Sequence, residues 1–561
     1  MSDRHKCVLT AVGAAIVLVM LAGSPAQAAR EFPLFAGPGD QHAGGFYRNI
    51  MLLEGEPTGP AARELLYYDL YTSQVKPVPV FPGAQVTGAA VYEDIVAWTH
   101  GKDYRPQGYY ADIDVYATRL STGEVFPVCV NPAEQFNVSV GDRLIVWTDC
   151  RNQTDGWVDT DVYFLDLSTG VEGAAATGSG AQGDTCAPRT SGNIVVWSDT
   201  SLSGGGVDLY GYNIDTQETF SVAVGLSDPD QPEVWDDSIA FPLVPLGDGR
   251  RLYLFDIPSR TLSPIAAEDS AALEVDMCGD MIVWTDFRNY DQTWTDVYAY
   301  DQRTDEEFAV CTAPRYQFTP LVYGDLVIWS DDRNYEDGVS GVDVYACDLE
   351  RLPFWDLRVD EWSFSSISAV AAHDIALGYP DRSYWPKYAI TRDQMAAYIS
   401  RAMAGGDANV LSPAPGTQTF ADVDAEHWAY SYVEYASAQG VVTGYDDQLY
   451  HSADPVDRGQ MAVVIARSRA WVALGDDMTT APELFPDVPA GYWAGTAIEA
   501  CVDQGVVQGY DDGYYRPDTT VTRDQMAVYI ARAFIPGTIT RPPQHLMEKA
   551  VELVGLRAVG R

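Results

Sequence analysis

Three arginines near the C-terminal end keep a common ruler with three tryptophans. Arg392, Arg458 and Arg523 each follow a tryptophan, Trp362, Trp428 and Trp493, by 30 residues. A Gly-Tyr pair stands 16 residues after each tryptophan, at Gly378-Tyr379, Gly444-Tyr445 and Gly509-Tyr510. A guanidinium is a permanent cation with a planar donor fork, suited to carboxylate or phosphate. Thr391-Arg392-Asp393-Gln394 and Thr522-Arg523-Asp524-Gln525 read as helix-capping boxes, with Asp457-Arg458-Gly459-Gln460 as a variant. Thr and Gln thus have a folding reason. Arg at the first helical position faces the positive end of the helix dipole, a cost of roughly 0.3–1 kcal/mol. Beside free backbone N–H groups it makes an anion site. The alternative is a local pair with a neighbouring carboxylate such as Asp393 or Asp524.

A second set of candidates lies upstream. The stretch Asp-x-Arg-Asn recurs at 149–152, 286–289 and 331–334, each directly after a Trp-containing strand pattern. Arg151, Asn152, Arg288, Asn289, Arg333 and Asn334, with the nearby Trp157, Trp294 and Tyr335, form a set of planar polar and aromatic groups suited to sugar rings or peptide. The competing reading is structural: Asp and Asn make side-chain turns, and Arg pairs locally. No G-x-S-x-G elbow is present, and His is scarce, so Ser/His/Asp catalysis finds no support. A carboxylate pair of glycosidase type is compatible with the many acids, but no pair is singled out and no catalytic residue is assigned. The acidic turns offer oxygen ligands for calcium, yet no loop has EF-hand spacing; no metal set and no cofactor is assigned.

The elements that position these groups follow from periodicity. Between about 40 and 352 a unit recurs, with Trp98, Trp147, Trp197, Phe241, Trp284 and Trp329 in one slot. A second slot holds Leu66, Tyr116, Tyr163, Tyr210, Tyr253, Tyr298 and Tyr345, at intervals of 43 to 50 residues. Seven units of four short β-runs predict a seven-bladed propeller. Cys129 and Cys311 occupy one repeat slot, as packed positions do; a Cys150–Cys186 bridge is compatible with the sequence. From about residue 354 the alternation gives way to helical spacing. Val433 and Ala436 share one face, as do Ala497, Ile498 and Cys501, and Gly440 and Gly505 stand as C-caps.

The chain of 561 residues has a formal net charge of −45. Such a charge repels nucleic acid and anionic lipid surfaces. Residues 1–28 read as a secretory signal: a basic start, an apolar run from Val8 to Leu21 and a small-x-small site at Ala26-Gln27-Ala28. No other segment is long and apolar enough to span a bilayer, so a secreted protein without its own transmembrane anchor is expected. The segments read as 1–28 signal, 40–352 propeller, 354–405, 418–472 and 483–535 helical modules, and a 537–561 tail.

The helical modules carry a resemblance. Phe485-Pro486-Asp487-Val488, Trp493, Gly505-Val506, Gly509-Tyr510, Pro517 and Val521-Thr522-Arg523 are similar to the S-layer homology domain. Phe420-Ala421-Asp422-Val423, Trp428 and Gly444-Tyr445 repeat it; the first module keeps Trp362, Gly378-Tyr379, Pro386, Ile390, Thr391 and Arg392 but lacks the Phe-x-Asp-Val opening and reads as degenerate. The propeller repeats resemble TolB-type repeats. The resemblance implies an all-α pseudo-threefold unit of three modules after the all-β propeller. It implies non-covalent binding of an anionic, pyruvylated secondary cell-wall polysaccharide, with Arg392, Arg458 and Arg523, the three tryptophans and Gly378, Gly444 and Gly509 at the grooves. Gln394, Gln460 and Gln525 replace the family motif's Glu, and Asp457 beside Arg458 ranks that groove lowest. The expected protein is a cell-wall or S-layer protein whose propeller binds a glycan or protein; the alternatives are a propeller enzyme or a purely structural layer component.

Overall fold

A computed structural model describes residues 30–535, apart from 36–40, 56–64, 105–109, 153–158, 179–180, 184–186, 201–205, 227–228, 230, 244–249, 336–340 and 415. The expected signal and tail, and the candidates Trp157 and Cys186, lie outside the described residues. The chain divides into two units, Met1–Trp355 and Asp356–Arg561.

The first unit holds seven four-stranded antiparallel sheets. Six are built from consecutive strands, over residues 41–77, 86–129, 135–176, 189–223, 233–264 and 272–311. The seventh takes three strands from 317–348 and its outermost strand, Arg30–Phe35, from the other end of the sequence. The propeller expected from the repeat is therefore present, and its ring is closed by an N-terminal strand. The two aromatic slots fall on the second and third strands of each blade, directly opposite one another: Trp147 pairs with Tyr163, Trp284 with Tyr298 and Trp329 with Tyr345. These rings stack at 6.1–6.3 Å, an arrangement that adds about 0.5–1.5 kcal/mol beyond burial. In four blades the second strand is buried along its whole length, which accounts for runs such as Ile-Val-Trp that carry no polar alternation.

Among the described residues the second unit has six α-helices: α1 Phe364–Ala372, α2 Arg392–Ala404, α3 Tyr430–Ala438, α4 Arg458–Ser468, α5 Gly495–Asp503 and α6 Arg523–Phe534. Each module supplies two helices, and the helices pack across module boundaries as α2 with α3, α4 with α5 and α1 with α6. Gly440 and Gly505 end α3 and α5 with φ near +70°, as C-cap glycines do. The segments before α2, α4 and α6 meet in a closed triangle of backbone bonds. Ile390 N–H donates to Val521 O (2.9 Å), Val521 N–H to Val456 O (2.8 Å) and Val456 N–H to Ile390 O (3.0 Å). All three side chains are fully buried, so the pseudo-threefold axis is both hydrogen-bonded and apolar.

The first module is complete. Asp422 accepts from the N–H groups of Tyr450 and His451, and Asp487 from those of Tyr515 and Arg516. Asp356 does the same for Tyr384 and Trp385, at 2.7 and 2.8 Å. The missing opening is thus Phe354-Trp355-Asp356-Leu357, with Leu in the Val position and fully buried. Its sequence signal was the spacing of 28 residues from the Asp to the Tyr it holds, the same in all three modules.

Candidate functional site

The three arginines are built into the helical unit. Arg392, Arg458 and Arg523 are all buried. Each reaches out of its own module to the next Gly-Tyr turn. Arg392 Nε donates to Tyr450 O (2.8 Å), Arg458 Nε to Tyr515 O (2.9 Å) and Arg523 Nε to Tyr384 O (2.7 Å). The same tyrosines return the bond, their hydroxyls donating to the carbonyls of Arg392, Arg458 and Arg523. Each guanidinium also lies over two tyrosine rings, at 4.5–5.0 Å. This reciprocal clasp is a folding role for the arginine that helix-end electrostatics alone does not reveal.

The helix N-termini are not open anion sites either. The N–H groups of Arg392, Arg458 and Arg523 donate to Asp454 O, Thr519 O and Tyr388 O. Those of Asp393, Gly459 and Asp524 donate to Ser452 O, Pro517 O and Pro386 O. The third is taken by a carboxylate: Asp457 accepts from Gln460 N, Asp393 from Gln394 N and Asp524 from Gln525 N, each at 2.7 Å. Asp457 therefore spends its charge as a cap, in a complete capping box with Gln460. The box read at Thr391 is replaced by this Asp393 bond.

The glycines before the tyrosines serve close packing. A Cβ at Gly444 would stand 2.6 Å from the Phe420 ring and 2.7 Å from Leu449 O; one at Gly509 would stand 2.6 Å from Phe485. Gly378 has φ +64°. The tryptophans are exposed, Trp362 by 58%, Trp428 by 56% and Trp493 by 48%.

The three grooves differ in what surrounds the clasp. Arg458 Nη1 donates to the Tyr529 hydroxyl at 2.5 Å, and Arg523 Nη1 to Gln394 Oε1 at 3.1 Å. Tyr398, Val464 and Tyr529 share the position six residues after the helix-starting Arg, so the Arg392 groove has Val464 where the Arg458 groove has Tyr529. A cavity of about 260 Å³ opens there, lined by Arg392, Thr443, Gly444, Tyr445, Gln460, Val464, Arg467 and Trp493 among others. Modules one, two and three all contribute. Gly459 stands where the other modules have Asp393 and Asp524. In those grooves the Trp428 indole N–H binds Asp393 (3.0 Å) and Lys387 binds Asp524 (3.0 Å); here Trp493 lies against the glycine.

Arg467 completes this groove and was not singled out by its sequence. Its counterparts nine residues into the other helices are engaged: Arg401 with Asp407 and the Tyr432 hydroxyl, Arg532 with Val506 O. Arg467 Nε is buried with no hydrogen-bond partner among the described residues, and burial lowers the basicity of its guanidinium. Two arginines and an indole thus border a space with no carboxylate in its lining, Asp457 standing beside it as the cap of Gln460, an arrangement suited to a bulky anion.

The Asp-x-Arg-Asn groups of the propeller turn inward on their own blades. Asp149, Asp286 and Asp331 each accept from the Trp indole two residues earlier, at 2.8–2.9 Å, and from the Arg two residues later. Arg151, Arg288 and Arg333 lie 3.9–4.1 Å over Tyr163, Tyr298 and Tyr345. Asn152, Asn289 and Asn334 donate to Asp161, Asp296 and Asp343. Arg151 and Arg333 also donate to Cys129 and Cys311 Sγ, both at 3.1 Å, which is why those cysteines share a slot. In these three blades the Arg and Asn side chains expected at a binding face are engaged with their own blade, while Asn152 and Asn334 stay exposed. Trp294 and Tyr335 do remain exposed, with Arg315 over both rings at 5.6 and 5.0 Å.

Among the described residues no helix is long and apolar enough to cross a membrane. Family comparison matches the S-layer homology domain at 358–396, 419–462 and 484–527. The chain is 28% identical over 172 residues to cell surface glycoprotein 1 of Acetivibrio thermocellus, covering 30% of this chain and 7% of that protein. It is 28% identical over 162 residues to the cellulosome-anchoring protein of the same organism, covering 29% and 36%. It is 28% identical over 141 residues to S-layer protein EA1 of Bacillus anthracis, covering 25% and 15%. It thus spans little more than a third of these relatives at most. Among solved structures it is similar to an oligogalacturonate lyase in complex with manganese (13% identity, TM-score 0.41, covering 58% of this chain and 98% of that one). It is also similar to TolB from Acinetobacter baumannii (13% identity, TM-score 0.32, covering 51% and 75%). The chain carries three S-layer homology modules over 358–527, preceded in sequence by a seven-bladed β-propeller.

Proposed function

We propose that this is a cell-surface protein held non-covalently at the cell wall by its three modules, with the Arg392–Arg467–Trp493 groove as the principal seat for an anionic wall polysaccharide. The observation that carries this reading is the break in the threefold pattern. Where two grooves hold an Asp beside the tryptophan, this one has Gly459, an open space of about 260 Å³ and an unpaired, buried guanidinium Nε. An acidic sugar substituent there meets two guanidiniums, the nearby Asp457 being engaged as the cap of Gln460 N–H, and a pyranose ring has the Trp493 face to stack on. The names of the relatives, a cell surface glycoprotein, a cellulosome-anchoring protein and an S-layer protein, agree with such a location. The propeller is the displayed domain, its exposed Trp294 and Tyr335 with Arg315 being suited to a glycan or peptide.

The test is cosedimentation of the full chain with purified wall sacculi, before and after extraction of their secondary polysaccharide. The clasp arginines are poor probes, because removing them disturbs the fold. Val464→Tyr closes the cavity and Arg467→Gln removes the unpaired cation; each is expected to lower retention at least tenfold, while Arg532→Gln leaves it intact. Undiminished retention of the folded double variant sinks the assignment.

A further inference from the structure

The innermost strands of the seven blades enclose a cavity of about 230 Å³ at the centre of the propeller. The register places one residue of each strand at the same height. On three consecutive blades these are Arg189, Glu233 and Asp276, paired with Val196, Ala240 and Val283 of the second strands. On three others they are Gly45, Ala90 and Ser139, paired with Leu52, Ala97 and Val146, and on the seventh it is Leu321, paired with Ile328. The ring is lopsided: charge on one side, small residues and therefore room on the other. Two positions further along the strands stand Tyr47, Tyr92, Trp235 and Tyr323, which also line the cavity. Tyr47 lies 4.2 Å from Tyr92 and 4.9 Å from Tyr323, centroid to centroid.

The charges do not balance. Arg189 Nε is bound to Glu233 Oε1 at 2.5 Å, and another of its nitrogens to Ala187 O. Asp276 accepts from Val322 N–H at 2.7 Å on the next blade and makes no ion pair among the described residues. The other charged or titratable groups around it are few. Glu274 on its own strand accepts from the Thr285 hydroxyl and the Thr319 N–H, Cys278 is buried, and Arg48 lies over the Tyr323 ring at 5.3 Å. Two carboxylates share one guanidinium, and π faces border the same space. Among the described residues no three His, Cys, Asp or Glu groups are placed to hold a metal ion. With Asp276 ionised, Glu233, Asp276 and Glu274 outnumber Arg189 and Arg48 by one charge, in a space of several water volumes at about 30 Å³ each.

We propose that the propeller channel is a binding site for a small organic cation, a protonated amine whose ammonium pairs with Asp276 and whose carbon chain lies over the small side of the ring against the tyrosines. An ammonium near aromatic faces gains a cation–π contribution on top of the ion pair. The geometry carries a linked proton. Burial, and then the neighbouring Glu233, push the Asp276 carboxyl up to about 8. A bound cation favours the ionised form, so an amine binding below that pH expels a proton.

The experiment is titration calorimetry of the full chain with n-butylammonium, in two buffers of different ionisation enthalpy. We expect release of close to one proton at pH 7, affinity rising about tenfold from pH 6 to 7, and a plateau above pH 8. Asp276→Asn is expected to abolish the proton release and weaken binding at least tenfold. Ala90→Leu, which fills the roomy side without touching the acids, is expected to abolish binding with Asp276 intact. Equal binding of 1-butanol, affinity independent of pH, or unchanged affinity in Ala90→Leu with a wild-type circular-dichroism spectrum overturns the proposal.

Discussion

The propeller and the helical unit both repeat an arginine stacked on tyrosine, and they use it differently. In the propeller, Arg151, Arg288 and Arg333 bond to an Asp two residues away and stack within their own blade. In the helical unit, Arg392, Arg458 and Arg523 bond to carbonyls of another module, 57 to 139 residues distant for the Nε contacts. A blade cassette stabilises a unit that pairs its own strands; a module clasp stabilises the joint between units. Regular repetition of a motif thus reports assembly in both regions. The candidate ligand sites arise where the repeat breaks: Val464 and Gly459 in one, three charged residues in an otherwise uncharged ring of seven in the other.

The comparison is broken most forcefully at a clasp. Arg458→Ala removes three acceptor contacts from a buried guanidinium and leaves Tyr515 O and Gln508 O without their donor. A loss of about 3 kcal/mol is expected, read as a fall in the thermal midpoint of the helical unit. Arg151→Ala, which leaves Asp149 the Trp147 indole and the residue-151 N–H as donors, is expected to cost about 1 kcal/mol; equal losses would erase the distinction. Asp286→Asn comes next. This fully buried carboxylate accepts from Trp284, Arg288 and Ser270, and these bonds, set against burial, hold its pKa below the usual value. Its contribution is present above the unfolded carboxylate range near 4 and is lost as pH falls through the folded pKa. The variant is expected to lose about 2 kcal/mol at pH 7 and to converge on wild type in acid, as denaturant unfolding at several pH values can show.

Asp276→Asn sharpens the contrast with the opposite sign. A carboxyl raised to about 8 binds its proton more tightly folded than unfolded, so the wild type loses stability as pH rises from about 4 to 8. The variant is expected to flatten that slope and to gain on the order of 1 kcal/mol over wild type at pH 8. Smallest on stability is Val464→Tyr, within about 1 kcal/mol, since the ring enters an existing cavity. Its effect should appear in wall retention alone.

The blades were readable because Trp and Tyr face each other across two strands and so must recur together. Helix ends and C-caps were readable because their rules are local. The first module's opening was overlooked because Leu357 replaced the expected Val, although Asp356 kept its interval to Tyr384. The direction in which Arg392 reaches was not readable, since its partners are 51 and 58 residues away in another module. Arg467 was hidden by regularity: Arg401 and Arg532 occupy its position, and only the contacts separate an engaged arginine from an available one. The channel ring was hidden for the opposite reason, since Arg189, Glu233 and Asp276 resemble nothing in the other blades.

The strand Arg30–Phe35 adds a kinetic consequence. It completes the seventh blade beside Asp343–Asp348, and Glu31 meets Arg333 across 302 residues of sequence. Six blades can zip locally as the chain emerges, but this joint must wait for the last blade and then recapture the earliest described strand. Until then the third strand of that blade exposes an unpaired edge, the kind that captures foreign strands. Folding of the disc should therefore end in a slow ring-closing phase, and deleting residues 30–35 should trade that phase for self-association.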